Sequence, residues 1–252
     1  MTIEKETFLA AFLRRFRRAF RIPMPGARRF QMALRGRRGI EVGGPSRIFK
    51  RDIPIYKVVA SLDGVNFSAD TVWGRREEGQ GCYDYLPGRS GSLFIREATD
   101  LRGVADGGYD FVLSCNNLEH VANPLKALRE WLRVLRPDGA ILLILPNKRS
   151  NFDHRRAVTS FEHLLDDLRR DTDERDLTHL DEILRDHDLS MDTASGSLAA
   201  FKERSLRNFE NRCLHHHVFD MPLIEKICTH VGLTIALRVS TRTDFIVLAT
   251  RR

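Results

Sequence analysis

Gly39-Ile40-Glu41-Val42-Gly43-Gly44-Pro45-Ser46 reads as a short apolar strand that an acid closes and a glycine turn follows, the form in which a nucleotide-binding strand meets its loop. Glycine suits such a turn because it accepts positive φ and lets backbone approach a ligand with no Cβ in between. The order of features behind the turn gives it meaning. Asp63 comes next, then the acidic turn Glu97-Ala98-Thr99-Asp100, then Tyr109-Asp110-Phe111-Val112-Leu113 and the apolar run Ile141-Leu142-Leu143-Ile144-Leu145. Strand alternating with turn in this rhythm predicts an α/β sheet.

Residues 56–62 read as a second strand ended by Asp63-Gly64, 22 positions after Glu41, near the roughly 20 expected for a ribose-binding acid in such a crossover. A surface-turn aspartate is the other reading. Residues 74–92, rich in glycine and charge, read as an irregular connection, and Ser92-Leu93-Phe94-Ile95 as a short third strand. Asn123-Pro124 supplies an N-cap and a first-turn proline for a helix with Leu125, Leu128, Leu132 and Leu135 on one face. Asp220 and Pro222 open another helix that Gly232 closes, and residues 233–239 and 245–249 read as the last two strands. Between them, residues 147–219 are helical in pattern, acidic and rich in histidine.

Together these segments, above all Tyr109-Asp110-Phe111-Val112-Leu113-Ser114-Cys115-Asn116-Asn117-Leu118-Glu119-His120-Val121 and Trp131-Leu132-Arg133-Val134-Leu135-Arg136-Pro137-Asp138-Gly139, resemble class I S-adenosylmethionine-dependent methyltransferases of the small-molecule, type 11-like branch. The resemblance spans about residues 39–147. It implies a Rossmann-like seven-stranded, mostly parallel sheet with helices on both faces, S-adenosylmethionine as cofactor, and an inserted helical region over 147–219 that binds the methyl acceptor. By the same resemblance Glu41, Gly43, Gly44, Asp63, Glu97, Ala98 and Ser114 would bind the cofactor, with Asp100 as an alternative to Glu97. The loop departs from the family pattern, since Pro45 and Arg47 stand where the second and third glycines would be. Proline has no amide hydrogen to offer a carboxylate.

Transfer of a sulfonium methyl is an in-line displacement, in which positioning and exclusion of water do most of the work. An alcohol acceptor also gains from a base. His120, just past the fourth strand, is the catalytic candidate, a capping histidine being the other reading. Asp153, His154 and Arg155, past the fifth strand, and His217 are the acceptor-binding candidates, because arginine forks and imidazoles suit polar acceptors. No metal is expected: His215, His216 and His217 cannot all point one way on an extended segment, and no His-x-x-x-His or Glu-x-x-His pattern occurs. Ser114-Cys115-Asn116-Asn117 replaces the Asn-Pro-Pro-aromatic tetrad of base-modifying enzymes, so no DNA substrate is expected, while RNA stays open. The expected acceptor is a small molecule or a glycan precursor. Stretches similar to 151–156 and 215–220 accompany glycan assembly. A cofactor-binding protein without turnover is the remaining alternative.

The formal charge of +7 is uneven. Residues 1–38 carry eleven Lys/Arg against Glu4 and Glu6, a balance of +9, and the remainder carries −2. The domain reading is therefore a basic extension over 1–38 and a methyltransferase domain over 39–252. Phe8, Phe12, Phe16 and Phe20 recur every four residues among arginines until Pro23. That pattern suits a lid or dimer helix whose phenylalanines pack on the domain, or a helix lying on an anionic membrane through residues 1–22. No apolar run approaches the roughly 20 residues of a membrane span. Cys82, Cys115, Cys213 and Cys228 form no Cys-x-x-Cys pair, which suits packing roles in a reducing cytoplasm, the expected location, with peripheral membrane contact through the extension.

Overall fold

The computed structural model of the protein describes residues 24, 26–71, 74–75 and 81–251; the aromatic-ridged segment 1–22 lies outside them. Five strands run parallel: β1 (Arg38–Val42), β2 (Ser61–Asn66), β6 (Arg89–Ile95), β7 (Tyr109–Cys115) and β8 (Leu135–Pro146). The strand β5 (Cys82–Leu86) pairs antiparallel with β6, and β10 (Asp244–Arg251) pairs antiparallel with β8 and with β9 (Leu233–Ser240). The order is β5-β6-β2-β1-β7-β8-β10-β9, a Rossmann-like sheet of eight strands where seven were expected. A separate pair joins β3 (Asp70–Thr71) to β4 (Gly74–Arg75).

The eighth strand is β5, in the segment read as irregular. Tyr83 and Tyr85 are buried while Cys82 and Asp84 are exposed, a period-two signal hidden among glycines and charges. The second strand is displaced as well. Residues Ile55–Lys57 form a 3-10 turn that buries Ile55 and Tyr56, and β2 begins only at Ser61. Its register pairs Ile40 with Asp63 and Val42 with Val65, so Asp63 lies within the strand and Asn66 ends it.

Alternation divides the core into two layers. Phe111, Leu113, Leu142 and Ile144 face one layer; Val112, Ile141, Leu143 and Leu145 face the other. The second layer is covered by α3 (Pro124–Val134), with Leu125, Leu128 and Trp131, and by α8 (Met221–His230), with Leu223, Ile224 and Ile227. Both helices start where the sequence indicates: Asn123 Oδ1 accepts from Lys126 N at 3.1 Å, and Asp220 Oδ1 from Leu223 N at 2.8 Å. The first layer is covered by α1 (Ala27–Leu34) and by Phe49 of α2 (Arg47–Arg51). Ala27, Phe30 and Leu34 are buried there, so the folded body takes in a helix that the sequence reading assigned to the extension.

Between β8 and α8 the chain makes α4 (Phe161–Arg170), α5 (Leu180–Asp186), α6 (Leu198–Leu206) and the short α7 (Asn208–Asn211). Ile183, Phe201 and Leu214 give this region a small core of its own. Among the described residues no helix is long and apolar enough to cross a membrane.

Candidate active site

The strand order reverses between β1 and β7, and in open α/β sheets ligands bind outside the carboxyl ends at such a point. A cleft of about 770 Å³ lies there, within the roughly 300–1,000 Å³ usual for small-ligand sites. Gly43, Gly44, Pro45 and Ser46 line it after β1, Asn66 and Phe67 after β2, Glu97 and Ala98 after β6, and Cys115, Asn116, Asn117 and His120 after β7. Glu174 and Arg212 reach it from the helical insert. Gly43 has φ 82°, and a Cβ there would lie 2.5 Å from Asn117 Nδ2, so this turn admits no side chain.

Glu41 lies beneath the loop and does not line the cleft. It is fully buried and accepts from Ser46 N at 3.1 Å, Ser46 Oγ at 2.6 Å, Tyr56 OH at 2.6 Å and Tyr83 OH at 2.6 Å. Burial pushes its carboxyl pKa up, and these hydrogen bonds oppose the rise. Its work here is to hold the glycine loop to the sheet.

Asp63, expected at the ribose, is turned away from the cleft. Its carboxylate accepts from Ser92 N and Tyr109 OH, each at 2.8 Å, and pairs with Arg38 at 3.2 Å. The physical reason is register: three further residues of β2 follow it. Asn66 takes the strand-end place and donates to Gly44 O at 3.1 Å. Leu62 and Val65 on either side of the acid were the signal that the strand continues. Ser114 is likewise inside β7, fully buried, and the cleft wall begins one residue later.

Glu97 and Ala98 do line the cleft. Glu97 pairs with Arg212, whose guanidinium also lies over the rings of Phe67 at 5.1 Å and Phe209 at 4.7 Å. Arg212 thus ties the insert to the cofactor edge of the cleft, a contact between residues 115 positions apart that no local pattern announces.

His120 stands in the wall. Its Nδ1 lies 3.0 Å from Leu214 O, so Nδ1–H donates there and the lone pair falls on Nε2. Burial and the nearby His215 charge hold its pKa well below the ordinary 6.5, which keeps the ring neutral. The His215 ring meets it edge-on at 4.5 Å, and Asp153 lies 2.5 Å from His215 Nδ1. Burial would raise the Asp153 pKa, but His215 and Arg156 outweigh it and hold the carboxyl at about 2. Glu119, His120 and His215 bring three potential ligand atoms within 4.8 Å, yet two of the imidazole nitrogens already have these partners, so the group reads as a proton network.

The other acceptor-binding candidates are not brought to the cleft. Asp153 is buried against Arg156 at 3.0 Å, His154 and Arg155 both meet Asp188 at 2.9 Å, and His217 is buried with Nε2 3.1 Å from Ala122 O. Each contact ties one part of the insert to another or to the sheet. Arg156, 1% exposed, is the centre of this tie: it pairs with Asp153 and Glu182 and donates to the His215 and His216 carbonyls.

Residues 56–143 match the family model described as a methyltransferase domain; the glycine loop, with Pro45 and Arg47, precedes the match. Among solved structures, an S-adenosylmethionine-dependent methyltransferase from Mesorhizobium loti is 12% identical, covers 90% of this chain and 96% of its own, and has a TM-score of 0.53. A methyltransferase of the same dependence from Aquifex aeolicus is 13% identical, with coverage of 89% and 87% and a TM-score of 0.48. A comparison with curated protein sequences finds no match. The family match over residues 56–143 and the Rossmann-like sheet together support a methyltransferase that uses S-adenosylmethionine as its cofactor. The cleft suits that group in size and place: about 770 Å³ at the carboxyl edge of the sheet, walled by the glycine turn on one side and by Glu97-Ala98 on the other.

Proposed function

We propose that the enzyme methylates a hydroxyl of a small molecule or of a carbohydrate in a glycan precursor. The observation that carries this reading is His120 in the cleft wall, with its tautomer set by Leu214 O and with His215 and Asp153 behind it. S-Adenosylmethionine supplies the methyl group as a sulfonium. The loop 43–46, Asn66 and Glu97-Ala98 would hold the cofactor, and Glu174 and Arg212 would close the acceptor side. His120 Nε2 would take the acceptor's proton as the hydroxyl oxygen attacks, and the closed cleft would exclude water as a competing acceptor. The basic segment 1–22 would seat the protein on an anionic membrane.

The test is turnover on a panel of sugars, nucleotide sugars and small alcohols, read as S-adenosylhomocysteine formed. His120→Ala should lower turnover by roughly 10²-fold while cofactor affinity stays within error. Full turnover in His120→Ala between pH 6 and 9, roughly bracketing the histidine range, would remove the base. Cofactor binding without product on every acceptor would favour a non-catalytic binding protein. Methylation of RNA that is lost at high salt and on removal of residues 1–22 would favour an RNA enzyme.

A further inference from the structure

We propose that His163, Asp167, His179 and His217 form a binding site for a divalent transition-metal ion, with Zn²⁺ the best match to the donor set. The four lie outside the cleft lining. One ring nitrogen from each of the three histidines lies within 4.8 Å of the others. His163 Nε2 is 2.9 Å from His179 Nε2 and 3.2 Å from Asp167 Oδ2, and Asp167 Oδ2 is 3.7 Å from His217 Nε2. Ligand atoms at about 2.0–2.2 Å from a tetrahedral Zn²⁺ are separated from one another by about 3.3–3.6 Å. The His163–His179 and His163–Asp167 distances fall just short of that value.

Two of the donors lack any other hydrogen-bond partner. Asp167 Oδ2 and His217 Nδ1 are buried and make no hydrogen bond, although buried polar atoms nearly always make one. His217 Nε2–H donates to Ala122 O, which leaves the lone pair on Nδ1; a carbonyl that sets the tautomer in this way is the usual companion of a ligating histidine. Hydrogen bonds within the cluster satisfy neither atom, and a cation beside His163 would be in reach of Asp167 Oδ2, 3.2 Å from His163 Nε2.

The three histidines are the core of the site, and Asp167, paired with His163, stands beside them as the fourth candidate ligand of a tetrahedral set. His163 and Asp167 are one turn apart on α4 and so share a face. His179 stands at the start of α5, and His217 lies on the segment leading to α8. The ion would therefore fasten the insert to the loop after β7, where Ala122 N also donates to Glu174 Oε1 at 3.0 Å and Glu174 lines the cleft. The sequence reading found no metal pattern because only one histidine of the 215–217 run takes part. Its partners lie 38 and 54 residues upstream.

The experiment uses full-length protein, dialysed against metal-free buffer and then analysed for bound metal by plasma mass spectrometry. About one Zn²⁺ per chain is expected, and metal-free protein should gain about 5–10 °C in Tm at a hundredfold excess of Zn²⁺ over Kd. His163→Ala with His179→Ala should abolish both the stoichiometry and the Zn²⁺-dependent shift, while calorimetric binding of S-adenosylmethionine shows that the variant is folded. Wild-type protein that holds no zinc as purified and gains no Tm on adding ZnCl₂ would overturn the proposal, whatever the variant does. So would a double variant that keeps the full zinc complement.

Discussion

Replacing Glu41 by alanine should separate support of the glycine loop from direct contact with the cofactor. The substitution removes the acceptor of four hydrogen bonds and leaves the Tyr56 and Tyr83 hydroxyls, on fully buried side chains, with no carboxylate to meet. A hydrogen bond to a charged group is worth about 1.5–3 kcal/mol, so the loss of the two tyrosine bonds costs about 3–6 kcal/mol, while Ser46 N keeps Tyr56 OH as an acceptor at 2.6 Å. That is a large share of the roughly 5–15 kcal/mol that holds a domain folded. Tyr83→Phe removes one donor from a carboxylate that keeps three, and should cost only about 1–2 kcal/mol. Glu41→Gln preserves shape and one carbonyl acceptor and should fall between. Urea unfolding followed by circular dichroism gives the differences directly from the midpoint and slope. If Glu41→Ala stays within about 1 kcal/mol of wild type yet loses cofactor affinity, the support role is wrong and Glu41 touches the cofactor.

Asp63→Ala should lower stability by about 1–3 kcal/mol through its lost bonds to Ser92, Tyr109 and Arg38, with the calorimetric Kd for S-adenosylmethionine unchanged. Asn66→Ala should raise that Kd about fivefold, near 1 kcal/mol. Glu174 is buried and its pKa is pushed up by burial from the ordinary 4.5 to about 7. Its unfolded form ionises first as pH rises, so its stabilising contribution is full below pH 4.5 and is lost towards pH 7. Glu174→Gln should flatten the stability profile between pH 5 and 8 by about 2–3 kcal/mol, and parallel profiles for variant and wild type would refute the assignment. Full-length protein should sediment with anionic liposomes at low salt and detach as salt rises; equal sedimentation of a chain lacking residues 1–22 would dismiss the membrane role of that segment.

The alternation of strand and turn, the strand before the glycine turn and the caps at Asn123 and Asp220 were legible in the sequence, because apolar alternation, glycine turns and N-caps act through neighbours a few residues apart. The places of Gly43, Gly44, Glu97, Ala98 and His120 followed from the same local grammar, since a residue just past a parallel strand arrives at the carboxyl edge of the sheet. Asp63 and Ser114 were misplaced because the end of a strand is set by its register with its neighbours, and β2 runs on through an acid and a glycine. The insert's helical character was legible, but the pairing of its polar side chains was beyond local reading. Asp153, His154, Arg155 and His217 have the chemistry of acceptor ligands, but packing turns them to Arg156, Asp188 and Ala122, while Arg212 and Glu174 come to the cleft. Which polar side chains face a ligand and which face one another depends on how segments dozens of residues apart meet, and burial makes that pairing obligatory without leaving a periodic mark on the chain.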